Sequence, residues 1–293
     1  MDENDTWNQD IEMMLSDEAK CIGKGAYGQI FLSEDGKKAI KYFQNEDEDK
    51  FLHEVSILKS IQNDWSHGFV HFLDSSTKPN FCITFEHLEI TLFDYVFQNA
   101  FSSQEKDHIC ASVLFSLSNA LMFLHEKKRL FHMDIKGNNI MLRGDQWVLI
   151  DFGSCMPTDS PKQAVIKDKD FRENIIGTFC LQPREALLMV LNWINCRPPK
   201  KDLYIDSSLD LYCLASTLCV IISGKYPNGN FESEICHIPK ILDKISKQEW
   251  ERDESLKKSS LFPLLSKMLH TDQTKRPWVS QVVFELTHTI NLN

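Results

Sequence analysis

A chain of 293 residues, 42% hydrophobic and 25% charged, carries enough apolar material for a sizeable core, which excludes a disordered polymer. Its formal charge of −10, from 42 acidic against 32 basic residues, speaks against nucleic-acid binding as the main activity, because phosphate contacts need clustered Lys and Arg. Nine cysteines, odd in number and with no C-x-x-C pair, do not suit a closed disulfide framework and read as thiols in a reducing compartment.

Residues 1–20, rich in Asp, Glu and Asn, read as an acidic solvated arm without the basic-then-apolar pattern of a signal peptide. Next, residues 21–32 predict two strands around a glycine-rich turn, and residues 38–43 a further strand after the Asp35-Gly36 turn signal. A helix follows the acidic stretch 45–49, with Phe51, Val55, Leu58 and Ile61 on one face. Strand-like runs at 69–73 and 81–85 complete a β-rich portion. Beyond His87 the pattern turns helical, at 92–98, 104–125, 209–222 and 261–269, with a short strand pair at 140–142 and 147–150. Residues 197–202 and their paired lysines read as a solvated loop. No apolar run approaches the roughly 20 residues a membrane span needs, so a soluble intracellular protein is expected, in cytoplasm or nucleus, with no membrane partner. A small β-rich part before a larger helical part is an α+β architecture in two lobes.

Chemistry-bearing residues recur along this frame. Gly23, Gly25 and Gly28 form a G-x-G-x-x-G run, which alone fits a dinucleotide fingerprint, a phosphate loop or a flexible turn. The dinucleotide reading wants a helix straight after the glycines, whereas Gln29-Ile30-Phe31-Leu32 continues as a strand. A glycine turn between strands suits backbone amides folded over a nucleotide's phosphates, with Tyr27 closing the tip. Lys41 follows in a strand with apolar neighbours, where a buried ammonium needs an anionic partner. Glu54 on the next helix is placed to supply it, with Glu46 and Glu48 as rivals.

The strongest signal is the run from Phe131 to Leu142. It sets Asp134, Lys136 and Asn139 in one loop: a proton acceptor, a cation for a transferring phosphate and a metal ligand. Asp151, in Asp151-Phe152-Gly153, ends the following strand and suits a second magnesium ligand.

Taken in order, these motifs resemble the eukaryotic-type protein kinase family, from about residue 21 to residue 286. The resemblance implies the family's two-lobed α+β fold: an arm at 1–20 and a kinase domain at 21–293, with an N-lobe at about 21–86, a hinge at about 86–90 and a helical C-lobe at about 91–293. It implies ATP and Mg2+ as cofactors and the Ser/Thr hydroxyls of protein substrates as acceptors. Lys136 and Thr178 accompany Ser/Thr specificity in the family, and dual specificity stays open.

In the implied site Gly23, Gly25, Tyr27 and Gly28 cover the phosphates, and Ile30 and Ala39 line the nucleotide pocket. Phe85 stands at its back, and backbone groups of Glu86 and Leu88 meet the adenine. Lys41, held by Glu54, orients the α- and β-phosphates. Asn139 and Asp151 hold magnesium, Asp134 takes the hydroxyl proton and Lys136 steadies the γ-phosphate.

Three later motifs also match. The resemblance implies that Gly177-Thr178 places the Thr hydroxyl against Asp134 and Lys136, that Asp210 holds the catalytic-loop backbone and that Arg276 pairs with Glu185. Two positions depart from the family. Met133 stands where the family has an Arg that pairs with a phosphorylated activation loop, which implies activity without that phosphorylation. Leu181-Gln182-Pro183-Arg184-Glu185 replaces the usual Ala-Pro-Glu ending, which implies an altered peptide surface.

Two other readings compete. A pseudokinase would use the fold as a nucleotide-binding or scaffolding module, but its usual mark is loss of Lys41, Asp134 or Asp151, and all three are present. A small-molecule kinase of the same fold would lack the later motifs that include Thr178, Asp210 and Arg276.

Overall fold

The computed structural model describes residues 20–25, 28–44, 47–158, 178–195, 205–230 and 234–290. The acidic arm up to residue 19, Tyr27, Glu46, Ser160, Gly177 and the lysine-bearing loop near residue 200 lie outside them. The chain divides into two compact units, residues 1–89 and 90–293.

The first unit is an antiparallel five-stranded sheet in the order β1-β2-β3-β5-β4. Its strands are β1 (Cys21–Gly25), β2 (Gly28–Leu32), β3 (Lys38–Phe43), β4 (Phe72–Ser76) and β5 (Phe81–Glu86). Side chains alternate across a pleated sheet, so partners in register share a face. Ile30 pairs with Lys41, Lys41 with Ile83, and Ala39 with Phe85, which puts all five on one face. Helix α1 (Glu48–Ile61) covers that face. Its predicted stripe is buried in full, and Phe51 packs on Phe43 and Phe81 with ring centroids 5.6 and 5.1 Å apart. The strand expected at 69–73 begins only at Phe72. Phe69 and Val70 are buried but precede the ladder, whose first pair is Phe72 with Phe85. Apolar character there marks burial rather than strand pairing.

The second unit is built on helices. These include α2 (Leu92–Phe97), α3 (Ser103–Phe123), α4 (Arg184–Ile194), α5 (Ser208–Ser223), α6 (Ile238–Lys247), α7 (Glu254–Lys258), α8 (Phe262–Met268) and α9 (Val279–Ile290). Helix α3 starts in a capping box, in which Ser102 receives the Glu105 amide and Glu105 reaches back to the Ser102 amide. Helix α5 is buried from Ser208 to Ile221 and ends at Gly224, whose φ of 73° is the left-handed cap glycine provides readily. Between α3 and α4 run β6 (Leu130–Phe131), β7 (Ile140–Arg143), β8 (Gln146–Leu149) and β9 (Met156–Pro157), paired as β6-β9 and β7-β8.

The α+β class, small sheet first and helices after, is the expected one. Four helices, α4, α6, α7 and α9, went unread in the sequence, although α6 buries Ile238, Ile241 and Ile245 at helical spacing. The expectation about apolar runs is also corrected. Ser103–Lys128 is long and apolar enough by composition to cross a membrane, yet half of that window is buried within the unit. It packs on α5, α9 and β8 as a core helix.

Candidate active site

The residues singled out in the sequence fall into two groups, one in each unit. In the first, Lys41 lies mid-strand on β3 and is 7% exposed, and Glu54 on α1 is 1% exposed. The Lys41 ammonium donates to Glu54 Oε2 at 2.7 Å. Glu48 instead sits in the first turn of α1. Desolvating two charges is tolerable only with close pairing, and removing either partner would strand the other.

Gly28 opens β2 directly across from Phe43, and a Cβ there would overlap the Tyr42 backbone carbonyl, so no larger residue fits without moving the strand. Among the described residues, the nearest neighbour of a Cβ at Gly23 would be the Ile30 side chain, at an ordinary 3.6 Å. Gly25 ends β1, paired with Gly28 across the tip. Ile30, Ala39 and Lys41 share one sheet face. At the end of β5, the Glu86 amide donates to the His71 carbonyl at 3.0 Å, and Glu86 Oε1 accepts from the His71 amide at 2.8 Å. This removes the amide from the Glu86 groups expected to meet an adenine. Leu88 follows outside the strand, half-buried.

The second group surrounds Asp134. Its carboxylate is nearly buried, and Oδ2 accepts from Lys136 Nζ at 2.7 Å and from Asn139 Nδ2 at 2.9 Å. The same Asn139 amide nitrogen donates to the Asp134 carbonyl at 2.9 Å. A turn over Gly137–Asn139 brings Lys136 and Asn139 back onto Asp134. A Cβ at Gly137 would overlap the Phe93 ring of α2, so this turn is moulded to that helix. The Asn139 carbonyl accepts from the Ile150 amide at 3.0 Å and ties the loop to the residue before Asp151.

The backbone of this loop is held from within α5. Asp210 Oδ2 accepts from the His132 amide and Oδ1 from the Met133 amide, each at 2.8 Å, and His125 Nε2 lies 2.8 Å from Oδ2. Burial alone would raise the Asp210 pKa, but the hydrogen bond and charge of His125, with the His132 contacts, hold it below the usual carboxylate value. Met133 has φ of 69° and Asp151 φ of 62°, left-handed conformations costing about 1–3 kcal/mol each for such residues.

His132 completes the arrangement. Its Nδ1 accepts from the Asp134 amide at 3.4 Å and its Nε2 donates to the Ile150 carbonyl at 3.2 Å, which together fix the Nε2–H tautomer. Its ring stands edge-on to the fully buried Phe152 at 5.4 Å.

The later motifs also find partners. Arg276 and Glu185 form a buried two-pronged ion pair whose second bond, from Nη2 to Oε2, is 3.1 Å. The Arg276 guanidinium lies 4.8 Å from the Tyr212 ring centroid. Burial works against the charge on Arg276, and Glu185 more than restores it. The expected contact of Thr178 is not made. Among the described residues its carbonyl accepts from Leu181, and no hydrogen bond joins its hydroxyl to Asp134 or Lys136.

Sequence reasoning passed over two participants. Gln182 is buried and its Nε2 donates to the Met133 carbonyl at 3.4 Å, while Asn228 Nδ2 donates to the Gln182 carbonyl at 3.1 Å. The departure of residues 181–185 from the family ending was the available signal, but it was read as a surface change.

Compared with known proteins, the chain matches the family described as protein kinase domain over residues 16–285. It is 32% identical over 174 residues to the dual specificity tyrosine-phosphorylation-regulated kinase mbk-2 of Caenorhabditis elegans, covering 54% of this chain and 21% of that protein. To dual specificity tyrosine-phosphorylation-regulated kinase 2 of Drosophila melanogaster it is 32% identical over 178 residues, 54% of this chain and 24% of the relative. The human lymphokine-activated killer T-cell-originated protein kinase is 23% identical over 190 residues, 63% of this chain and 54% of the relative. The chain thus spans only about a fifth to a quarter of the length of the first two.

Proposed function

The chain belongs to the protein kinase domain family, and from that premise we propose that it transfers the γ-phosphate of ATP to serine and threonine hydroxyls of a protein substrate. The observation that carries this reading is the convergence of Lys136 and Asn139 on one oxygen of Asp134. A carboxylate with a cation and an amide on Oδ2 keeps its other oxygen, Oδ1, for an incoming hydroxyl proton.

In this reading Asp134 accepts that proton and Lys136 steadies the phosphoryl oxygens. Lys41 meets the α- and β-phosphates, held extended by Glu54. Gly23, Gly25 and Gly28, with Tyr27 at the tip, let backbone amides cover the phosphates. Ile30 and Ala39 line the adenine side, where the Glu86 carbonyl and the backbone of Leu88 supply polar contacts. Bound magnesium would neutralise charge on the bridging phosphates. The residues fit it: the Asn139 amide nitrogen is committed to Asp134, so Oδ1 is the atom able to meet a cation, and the Asp151 carboxylate is the second ligand. Positioning and electrostatics supply most of the acceleration.

A second acceptor class is favoured by one observation, the dual-specificity kinases among the relatives. Phosphoamino-acid analysis separates the two. The protein is incubated with magnesium, labelled ATP and mixed protein substrates beside Asp134→Asn, and the product is hydrolysed. Phosphoserine and phosphothreonine that fall by about 10²–10⁴-fold in the variant are expected. Phosphotyrosine alone overturns the acceptor assignment. Label that is equal in wild type and variant overturns the role of Asp134, and ATP binding without transfer to any substrate favours a scaffolding module.

A further inference from the structure

The peptide between Met133 and Asp134 is held at both of its polar atoms. Its N–H, on Asp134, meets His132 Nδ1, and its C=O, on Met133, accepts from Gln182 Nε2. One bond earlier, the Met133 N–H is fixed by Asp210 Oδ1 at 2.8 Å. Met133 φ, at 69°, is therefore bracketed: Asp210 grips the amide on one side of the rotating bond and Gln182 the carbonyl on the other. A left-handed φ at a non-glycine residue persists only where its surroundings over-determine it. Releasing either grip lets the bond rotate toward negative φ and swings the residue that follows, Asp134.

Gln182 is itself anchored. Its carbonyl accepts from Asn228 Nδ2, and Asn228 Oδ1 accepts from the Tyr212 hydroxyl at 3.0 Å. Gln182, Asn228 and Tyr212 are all within 3% exposure, so water is largely kept from these bonds. Met133 offers no polar side chain of its own, leaving its backbone carbonyl as the handle. We propose that Gln182 is a positioning residue for phosphoryl transfer: it sets the backbone that aims the Asp134 carboxylate and is not needed to bind nucleotide. This inference rests on the kinase reading above.

The test compares wild type, Gln182→Met and Gln182→Glu, with kcat expressed per nucleotide-binding site titrated with a fluorescent ATP analogue. Gln182→Met keeps length and removes the donor. It is expected to lower kcat per site by about tenfold, with the KM for ATP within about twofold. Gln182→Glu can donate only when its carboxyl is protonated, so its kcat relative to Gln182→Met is expected to rise as pH falls from about 8 to about 6.

A merely structural role would lower site number and kcat together and leave that ratio flat, and this outcome overturns the proposal. Unchanged kcat per site in Gln182→Met overturns it as well. Absence of transfer by the wild type overturns the kinase reading instead, so the two failures are distinguishable.

Discussion

Met133 is buried, 3% exposed, in a position where the related family places an arginine that pairs with a phosphorylated loop. A thioether cannot attract a phosphate, so ordering of the backbone around Met133 falls to internal contacts: the Asp210 carboxylate, Gln182 and the His132 ring. Thr158, one acceptor candidate in the following segment, is itself buried, its amide bonded to the Arg129 carbonyl at 2.8 Å. We therefore expect phosphatase-treated protein to keep its turnover within about twofold, measured against untreated enzyme. Activity that vanishes and returns on phosphorylation at Ser154, Thr158 or Ser160 would sink this. The same scale shows what sequence can and cannot convey. The pairing of Lys41 with Glu54 and the grouping of Asp134 with Asn139 were legible because such charges and amides have few uses at these spacings. Gln182 was not, because a glutamine reads as surface until its burial is known.

Helix α2 and the turn after Lys136 form one moulded contact, Phe93 against Gly137. Gly137→Ala would force the ring aside or push the turn, and overpacking of this kind costs about 1–3 kcal/mol. The expected result is a lower melting temperature and a lower kcat, with Phe93→Ala recovering much of both in the double variant. Additive losses in that cycle would show that the two residues are not coupled. Elements with one strong local signal were easy to read. The strand β3 and the helix α1 appeared close to their expected places, since alternation and a four-residue apolar stripe are local patterns. The start of β4 was misplaced by three residues, because pairing with β5 rather than hydrophobicity decides where the ladder begins. Helix α4 was hidden behind a motif, Leu181 to Glu185, that drew attention to chemistry instead of periodicity.

Charge is unevenly shared along the whole molecule. Residues 1–89 carry 18 acidic and 8 basic residues and account for the net −10, whereas residues 90–293 carry 24 of each. The charge read from composition thus describes the first unit and says little about the balanced second one. Stability in acid should report on that second unit through Asp210. Its folded pKa lies below the unfolded value of about 3.9. Its contribution is therefore complete above the unfolded pKa and disappears as pH falls through the folded one. Urea titrations from pH 7 to pH 3 should find Asp210→Asn less stable at neutral pH, with the gap to wild type narrowing below about pH 4. A gap that stays constant with pH would mean that Asp210 gains nothing from its charged form.

The grip of Asp210 on His132 and Met133 joins residues 78 and 77 positions apart. During synthesis the loop around Asp134 therefore leaves the ribosome well before the carboxylate that shapes it. A fragment cut short of α5 would carry Asp134, Lys136 and Asn139 intact in sequence and still lack the carboxylate that holds the His132 and Met133 amides. The shape of this loop is thus set late, at the arrival of a buried helix, rather than when its own sequence is complete.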